Sequence, residues 1–444
     1  MKFRGLLAAV VVLAALGGAA WWSERKEKTD SAKPSTDSTP KILSIPDDQF
    51  AQIDLIKKAD GTLEVAKTDG KWKIVQPKPL AADQDSVSSL VTSLASLSAD
   101  RLIEDKATDL SSYGFNAPAE QVKITRKDGK VQTLLIGDDT LTGSGAYAKL
   151  EGDPRVFTIA SYVKTSLDKS SKDLRDKRLL TFNSDKLTRV ALTAKGQTLE
   201  FGKNNQNEWQ ILKPRPLRAD GLQVDELVRK LKDAKMDVSG SDEDAKKAVA
   251  GFSTGTRVAV ASVTDSSGTQ EIEVRKDKDK NYYAKGTAVE GIYKVLSDFG
   301  DGLDKSLDDF RNKKLFDFGW NDPNKIDIHS GTTQATYQKS GDKWMSGGKQ
   351  MDGPSIQSLV DKLRDLTSTK FLDYGNGASI FEATVTSSDG KRVEKVSIWK
   401  QADKYYAKRE AEPTVYELDS KAVEDLQKAA AEVKEFQPPK SGKK

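Results

Sequence analysis

Histidine occurs once in the 444 residues, as His329, and cysteine does not occur at all. Any histidine-based triad would rest on that one imidazole, which sits in the alternating run Ile326-Asp327-Ile328-His329. Such a run reads as a strand, and a lone histidine near a strand end reads as a surface or hydrogen-bonded group. No Gly-x-Ser-x-Gly elbow accompanies it. Composition excludes histidine-rich and thiolate zinc sites, cysteine nucleophiles, disulfides and lipidation at cysteine. Asp277, Asp279 and Asn281 match the first three ligand positions of a calcium loop, but Tyr282 stands where glycine is needed and Ala288 where the bidentate glutamate belongs. They read as a charged hairpin turn. Gly137-Asp138-Asp139-Thr140 through Gly145 lacks the Gly-Lys-Ser/Thr ending of a phosphate loop. Paired carboxylates remain as a catalytic device, yet among 67 acidic residues no pair stands out. The sequence therefore nominates no catalytic, cofactor-binding or metal-binding residue.

Charge says what the partner is not. The 71 Lys and Arg are interleaved with 67 Asp and Glu, for a net charge of +4, whereas a nucleic-acid binder gathers basic residues on one face to displace counterions. The one basic cluster, Lys440, Lys443 and Lys444 beside Pro438, Pro439 and Gly442, reads as a disordered tail over 438–444.

The first residues give the chain an address. Lys2 and Arg4 lie in a tail of residues 1–5 that precedes an unbroken apolar run, Leu6 to Trp22, after which the chain turns abruptly to charge. As a helix rising 1.5 Å per residue the run spans about 25 Å, within the range of a membrane-crossing segment. Trp21 and Trp22 would lie at the far interface. The expectation is a single-pass anchor over 6–22 in the inner membrane, with the bulk of the chain extracytoplasmic. The competing reading is a cleaved signal peptide, because Gly17, Gly18, Ala19 and Ala20 could present a processing site. Residues 23–41, rich in Ser, Thr, Lys, Asp and Pro, read as a flexible linker.

Beyond the linker the chain repeats itself. Trp72-Lys73-Ile74-Val75-Gln76-Pro77-Lys78-Pro79-Leu80-Ala81-Ala82-Asp83 recurs 137 residues later as Trp209-Gln210-Ile211-Leu212-Lys213-Pro214-Arg215-Pro216-Leu217-Arg218-Ala219-Asp220. A third copy begins at Trp344, loses the Pro-x-Pro segment, and reaches the matching acid at Asp352. After each Asp, apolar residues fall at Val87, Leu90, Val91, Leu94; at Val224, Leu227, Val228, Leu231; and at Ile356, Leu359, Val360, Leu363. Steps of three, one and three place each set on one stripe of a helix, with the Asp at its N-cap. The Trp residues sit on the second strand of short hairpins and read as core. The fold class expected is α+β: three tandem diverged repeats, each a mainly antiparallel sheet of order β-β-β-α-β-β-β-β-α, over 42–180, 181–316 and 317–437. Short connections between copies predict packing in a row.

This set of motifs, with Tyr113-Gly114-Phe115, Pro118, Gly137 and the Tyr147 strand, resembles the bacterial family catalogued as domain of unknown function 4340. The third copy keeps only Tyr374-Gly375 of the middle motif. The resemblance implies a membrane-anchored extracytoplasmic protein, encoded beside ABC transporter components of the gliding-motility type, with no known chemistry. Among surface features the Pro-x-Pro-Leu loops are the candidate interaction sites, namely Pro77, Pro79, Leu80, Pro214, Pro216 and Leu217, although the favoured reading is that they merely set the angle between strand and helix. Trp72, Asp83, Trp209, Asp220, Trp344 and Asp352 are read as structural. The expectation is a non-enzymatic accessory or scaffold protein with an integral membrane or envelope protein as partner. The alternatives are a carboxylate-dependent hydrolase of envelope glycan and a passive glycan- or lipid-binding module. Oligomeric state stays open.

Overall fold

The computed structural model describes residues 40–58, 61–319, 323–410 and 412–438. The expected tail, anchor, nearly all of the linker and nearly all of the C-terminal tail lie outside the described residues. No helix among the described residues is long and apolar enough to cross a membrane. The body divides into two compact units, separated in sequence between Lys177 and Arg178.

The first unit holds one antiparallel sheet. Its strands are β1 (Phe50–Lys57), β2 (Gly61–Thr68), β3 (Lys71–Gln76), β4 (Leu80–Ala81), β5 (Arg101–Glu104), β6 (Glu120–Arg126), β7 (Val131–Asp139), β8 (Gly145–Leu150) and β9 (Val156–Ala160), in the spatial order β4-β3-β2-β1-β6-β7-β8-β9-β5. Helix α1 (Gln84–Ala95) lies between β4 and β5, and the short helices α2 (Ser161–Leu167) and α3 (Ser171–Leu174) follow β9. The second unit repeats the plan twice. Its first sheet runs β13-β12-β11-β10-β14-β15-β16-β17, from β10 (Arg189–Ala194), β11 (Gln197–Lys203), β12 (Trp209–Lys213), β13 (Leu217–Arg218), β14 (Thr256–Asp265), β15 (Gly268–Lys276), β16 (Tyr282–Gly286) and β17 (Tyr293–Val295). The other runs β21-β20-β19-β18-β23-β24-β25-β26-β22, from β18 (Lys325–Ser330), β19 (Thr333–Ser340), β20 (Lys343–Ser346), β21 (Lys349–Gln350), β22 (Ser368–Leu372), β23 (Phe381–Ser387), β24 (Arg392–Gln401), β25 (Lys404–Arg409) and β26 (Val415–Leu418). The helices of this unit are α4 (Gly221–Lys232), α5 (Asp242–Thr254), α6 (Ser297–Leu303), α7 (Leu307–Phe310), α8 (Gly353–Asp365) and α9 (Ser420–Ala431).

Each sheet buries one face against the helix that follows its Trp hairpin. All twelve residues of the three apolar stripes are buried, and Trp72, Trp209 and Trp344 join the same cores. Burying an aliphatic side chain is favourable by about 1.5–3 kcal/mol, so each stripe anchors its helix firmly to its sheet. The caps form as the sequence predicts: Asp83 accepts from the Ser86 N–H at 2.8 Å, Asp220 from Leu222 and Gln223, and Asp352 from Ser355 at 3.0 Å.

Four features depart from the sequence reading, one being that five strands rather than four follow the main helix in copies one and three, β5 to β9 and β22 to β26. Four strands rather than three precede the helix, because the chain after the Trp strand folds back as the two-residue β4, β13 and β21. The closing helix of the first two copies is broken in two. At Ser170 and at Ser306 a Ser-x-x-Asp capping box restarts the helix, with Asp173 and Asp309 accepting the serine N–H at 2.8 and 2.7 Å. Residues 175–180 and 311–316, which follow these short helices, are consequently not helical. Copy two also carries an additional helix, α5, capped by Ser241 and Asp244. Its sequence has little periodicity because only Ala248 and Phe252 reach a core.

The lost Pro-x-Pro has a local cause. In copies one and two a cis proline follows the Trp strand, at Gln76-Pro77 and Lys213-Pro214, next to a register shift in the β2/β3 and β11/β12 pairings. In copy three Gly347 and Gly348, at φ of 55° and 80°, make a two-residue turn instead, the geometry a tight hairpin requires. Replacing Asp220 by Ala should destabilise the second unit by about 1 kcal/mol through the lost cap, read as an earlier midpoint in chemical denaturation, and Asp220→Asn should restore most of it.

Candidate functional site

Both ends of every module are fixed by the same pair of backbone hydrogen bonds. Where the chain leaves a module it runs beside the residues preceding the main helix: the Asp83, Asp220 and Asp352 N–H groups donate to Leu174, Phe310 and Lys434 carbonyls at 2.8, 2.8 and 2.9 Å. The return bonds run from Asp176, Asn312 and Phe436 N–H to Ala81, Arg218 and Gln350. Where it enters, it pairs with the residues following that helix: Leu43 with Leu97, Leu179 with Ala234, Leu315 with Leu366. In the second unit one segment does both. Residues 310–316 leave copy two and enter copy three while bonded to each, and Ser368 N–H completes the set by donating to Lys313 O at 2.8 Å.

Charged side chains close over this splice. Arg218, 15% exposed, donates to Lys314 O at 2.6 Å and pairs with Glu412 at 2.7 Å and Asp317 at 3.4 Å. Glu412 also accepts from Arg409 at 2.7 Å and from the Tyr416 hydroxyl, which burial pushes above its usual range. Arg409 continues to Glu394 at 3.0 Å and to Leu315 O, and Glu394, 5% exposed, receives the Asp317 N–H at 3.0 Å. At the rim Arg392 pairs with Glu208, and Arg311 lies 3.7 Å over the Phe371 ring. Partners supplied from both copies make this chain a lock rather than a surface decoration, since breaking one member strands another charge away from water.

The candidate loop residues are divided by this arrangement. Pro77, Pro79, Pro214 and Pro216 are exposed, Leu80 is half-buried against the first core, and Leu217 is buried in the second. Arg215, between the two prolines of copy two, pairs with Asp373 of copy three. One Pro-x-Pro loop thus bears on the neighbouring module. The repeat tryptophans offer no open platform: they are 5–9% exposed, with Lys67 over Trp72 at 5.7 Å and Lys203 over Trp209 at 5.0 Å. The lock residues escaped the sequence reading because lone charges are common in this chain. One signal was present, in that Arg218 replaces the small Ala81 at an otherwise matching position.

His329 is exposed on β18. Asp277 accepts the N–H groups of Asp279 and Asn281 at 2.9 and 2.8 Å, capping its own hairpin turn. No group of three or more His, Cys, Asp or Glu among the described residues could hold a metal ion. Among the described residues Glu120 is the one carboxyl whose acidity moves into the neutral range. It alternates with Val122 and Ile124 on the packed face of β6 and is 4% exposed, and burial pushes its pKa to about 7 against the downward pull of Lys57. Lys57 itself is engaged with Asp168.

A family model described as a domain of unknown function, DUF4340, matches residues 72–215 and 209–384. The chain belongs to this family. Each matched DUF4340 segment starts at a Trp strand and ends within the following module, so the family unit is offset from the structural one. No curated protein and no solved structure matches.

Two tests follow from these groups. Arg218→Ala should destabilise the second unit by about 3 kcal/mol by leaving Glu412 with less of its partner charge; a loss under about 1 kcal/mol would make the lock a surface network. For Glu120 the folded pKa is raised, so its favourable contribution is complete below the ordinary value of 4.5 and disappears as pH rises through about 7. Glu120→Gln should therefore make the first unit more stable at pH 8 by roughly 2–3 kcal/mol relative to its effect at pH 4, measured by denaturation at both values.

Proposed function

We propose that this DUF4340 protein is a non-catalytic accessory or scaffold subunit, held at the inner membrane by its N-terminal segment with the body outside the cytoplasm, and that its partner is an integral membrane component of an ABC-type transport system. The observation that carries the reading is where the recurring signature residues lie. Trp72, Trp209 and Trp344 are in cores, while Asp83, Asp220 and Asp352 cap helices. A sequence that repeats its architectural residues three times and joins two copies by a hydrogen-bonded splice is organised to present surface at fixed spacing, as repeat proteins do for binding. The location draws on the apolar run Leu6 to Trp22, and the transporter on the family resemblance.

The reading predicts that amine-reactive crosslinking in intact cells of the source organism, followed by mass spectrometry, joins the body to a transporter permease. Recovery of the mature protein as a free soluble species beginning after residue 20 would contradict the tether. Hydrolysis of envelope glycan by the purified protein, lost in Glu120→Gln, would replace the scaffold by an enzyme.

A further inference from the structure

We propose that Glu120, Lys57 and Asp168 form a pH-responsive latch on the joint between α2 and α3, closed by Lys57 while Glu120 is neutral and released when Glu120 ionises.

Glu120 occupies a slot built for an apolar side chain. Counted from the paired core residues Ile53 with Ile124 and Ile326 with Val385, it stands where copy three places Phe381, which is 1% exposed. Its directly opposite neighbour on β1 is Lys57, where copy three has Ser330. Opposite residues of an antiparallel pair project to the same face with Cβ atoms about 5 Å apart, so an acid and a base share this corner of the core. They are not joined. Glu120 Oε1 is buried with no hydrogen-bond partner among the described residues. The Lys57 ammonium is turned instead to the α2–α3 joint, where it engages the Asp168 carboxylate and donates to Lys169 O at 3.0 Å.

The other charges around Glu120 are already committed. Lys164 on α2 pairs with Asp139 of β7 at 2.6 Å, Asp168 is the group Lys57 holds, and the β7 residue opposite Glu120 is the apolar Ile136. Lys57 is therefore the cation placed to answer a negative charge at Glu120. The two claims on it are unequal. The Asp168 side chain is 59% exposed and regains water when released, whereas an ionised Glu120 would have neither water nor another donor. Ionisation consequently turns Lys57 inward and gives up the clamp. Burial pushes the Glu120 carboxyl up to about 7, which sets the release near neutral pH.

The clamp holds a weak point of the fold. Between Leu167, where α2 ends, and Ser171, where α3 begins, the backbone is held by Asp168 N–H to Lys164 O at 2.9 Å and Lys169 N–H to Leu167 O at 2.8 Å. Helix α3 then leads to Leu174, whose carbonyl receives the Asp83 N–H at the cap of the main helix. Release at the joint therefore bears on the bond that fixes the exit of module one. The latch is a property of the first module alone and stands whether or not a transporter is the partner.

The test is amide hydrogen exchange of the full chain, followed by mass spectrometry over residues 168–175 at about pH 6 and pH 8 and corrected for intrinsic rates. The expected result is an opening equilibrium about tenfold larger at the higher pH, as a one-unit difference in Glu120 pKa between closed and released joint requires, with the β1 and β6 amides still protected. Glu120→Gln keeps the shape and stays neutral, so its joint should be equally protected at both values. Lys57→Met removes the clamp and should leave the joint open at both. A wild-type joint equally protected at both values, a pH dependence that survives Glu120→Gln, or exchange that rises across β1 and β6 in step with the joint would overturn the latch.

Discussion

The second unit depends on one extended segment that is hydrogen-bonded along both sides. A strand-like connector can be flexible only if its N–H and C=O groups are free to exchange partners with water, and residues 310–316 place theirs in fixed pairings with Arg218 and Asp220 on one side and with Leu366 and Ser368 on the other. Moving copy three against copy two would break these bonds together. The Arg218, Glu412, Arg409 and Glu394 chain raises that barrier, because Arg218 of copy two is held by Glu412 of copy three and by the Lys314 carbonyl of the splice itself. Burial of these charges adds geometric definition more than net stability.

The repeated pair of end bonds explains how the sequence could diverge while the plan persisted. The bonds are backbone to backbone and make no demand on side chains. What the plan does require of side chains is small: an indole on the hairpin strand, a carboxylate at the cap, and four aliphatic residues on a stripe. The third copy keeps all of these and lets the rest change, exchanging a proline loop for a glycine turn.

The helices, their caps and the Trp hairpins were legible in the sequence because each is set by local periodicity. Val87, Leu90, Val91 and Leu94 announce their face by spacing alone, and Asp83 its cap. The broken closing helices were legible in principle, since Ser-x-x-Asp at Ser170 and Ser306 is a local signal that competes with a weak apolar stripe. The lock was not. Arg218 meets Tyr416 at a separation of 198 residues, and no period in a single sequence reports such a pair. The buried state of Glu120 likewise follows from which strands become neighbours, and the sequence alone leaves that open.

The splice is tested most directly by amide hydrogen exchange across residues 310–318 and 366–368. The account predicts that the Asn312, Leu315 and Ser368 amides exchange as slowly as those of the β11 and β23 core strands, opening only with the whole unit. Exchange on the timescale of exposed loops, with both sheets still protected, would contradict it and leave copies two and three as independently moving domains.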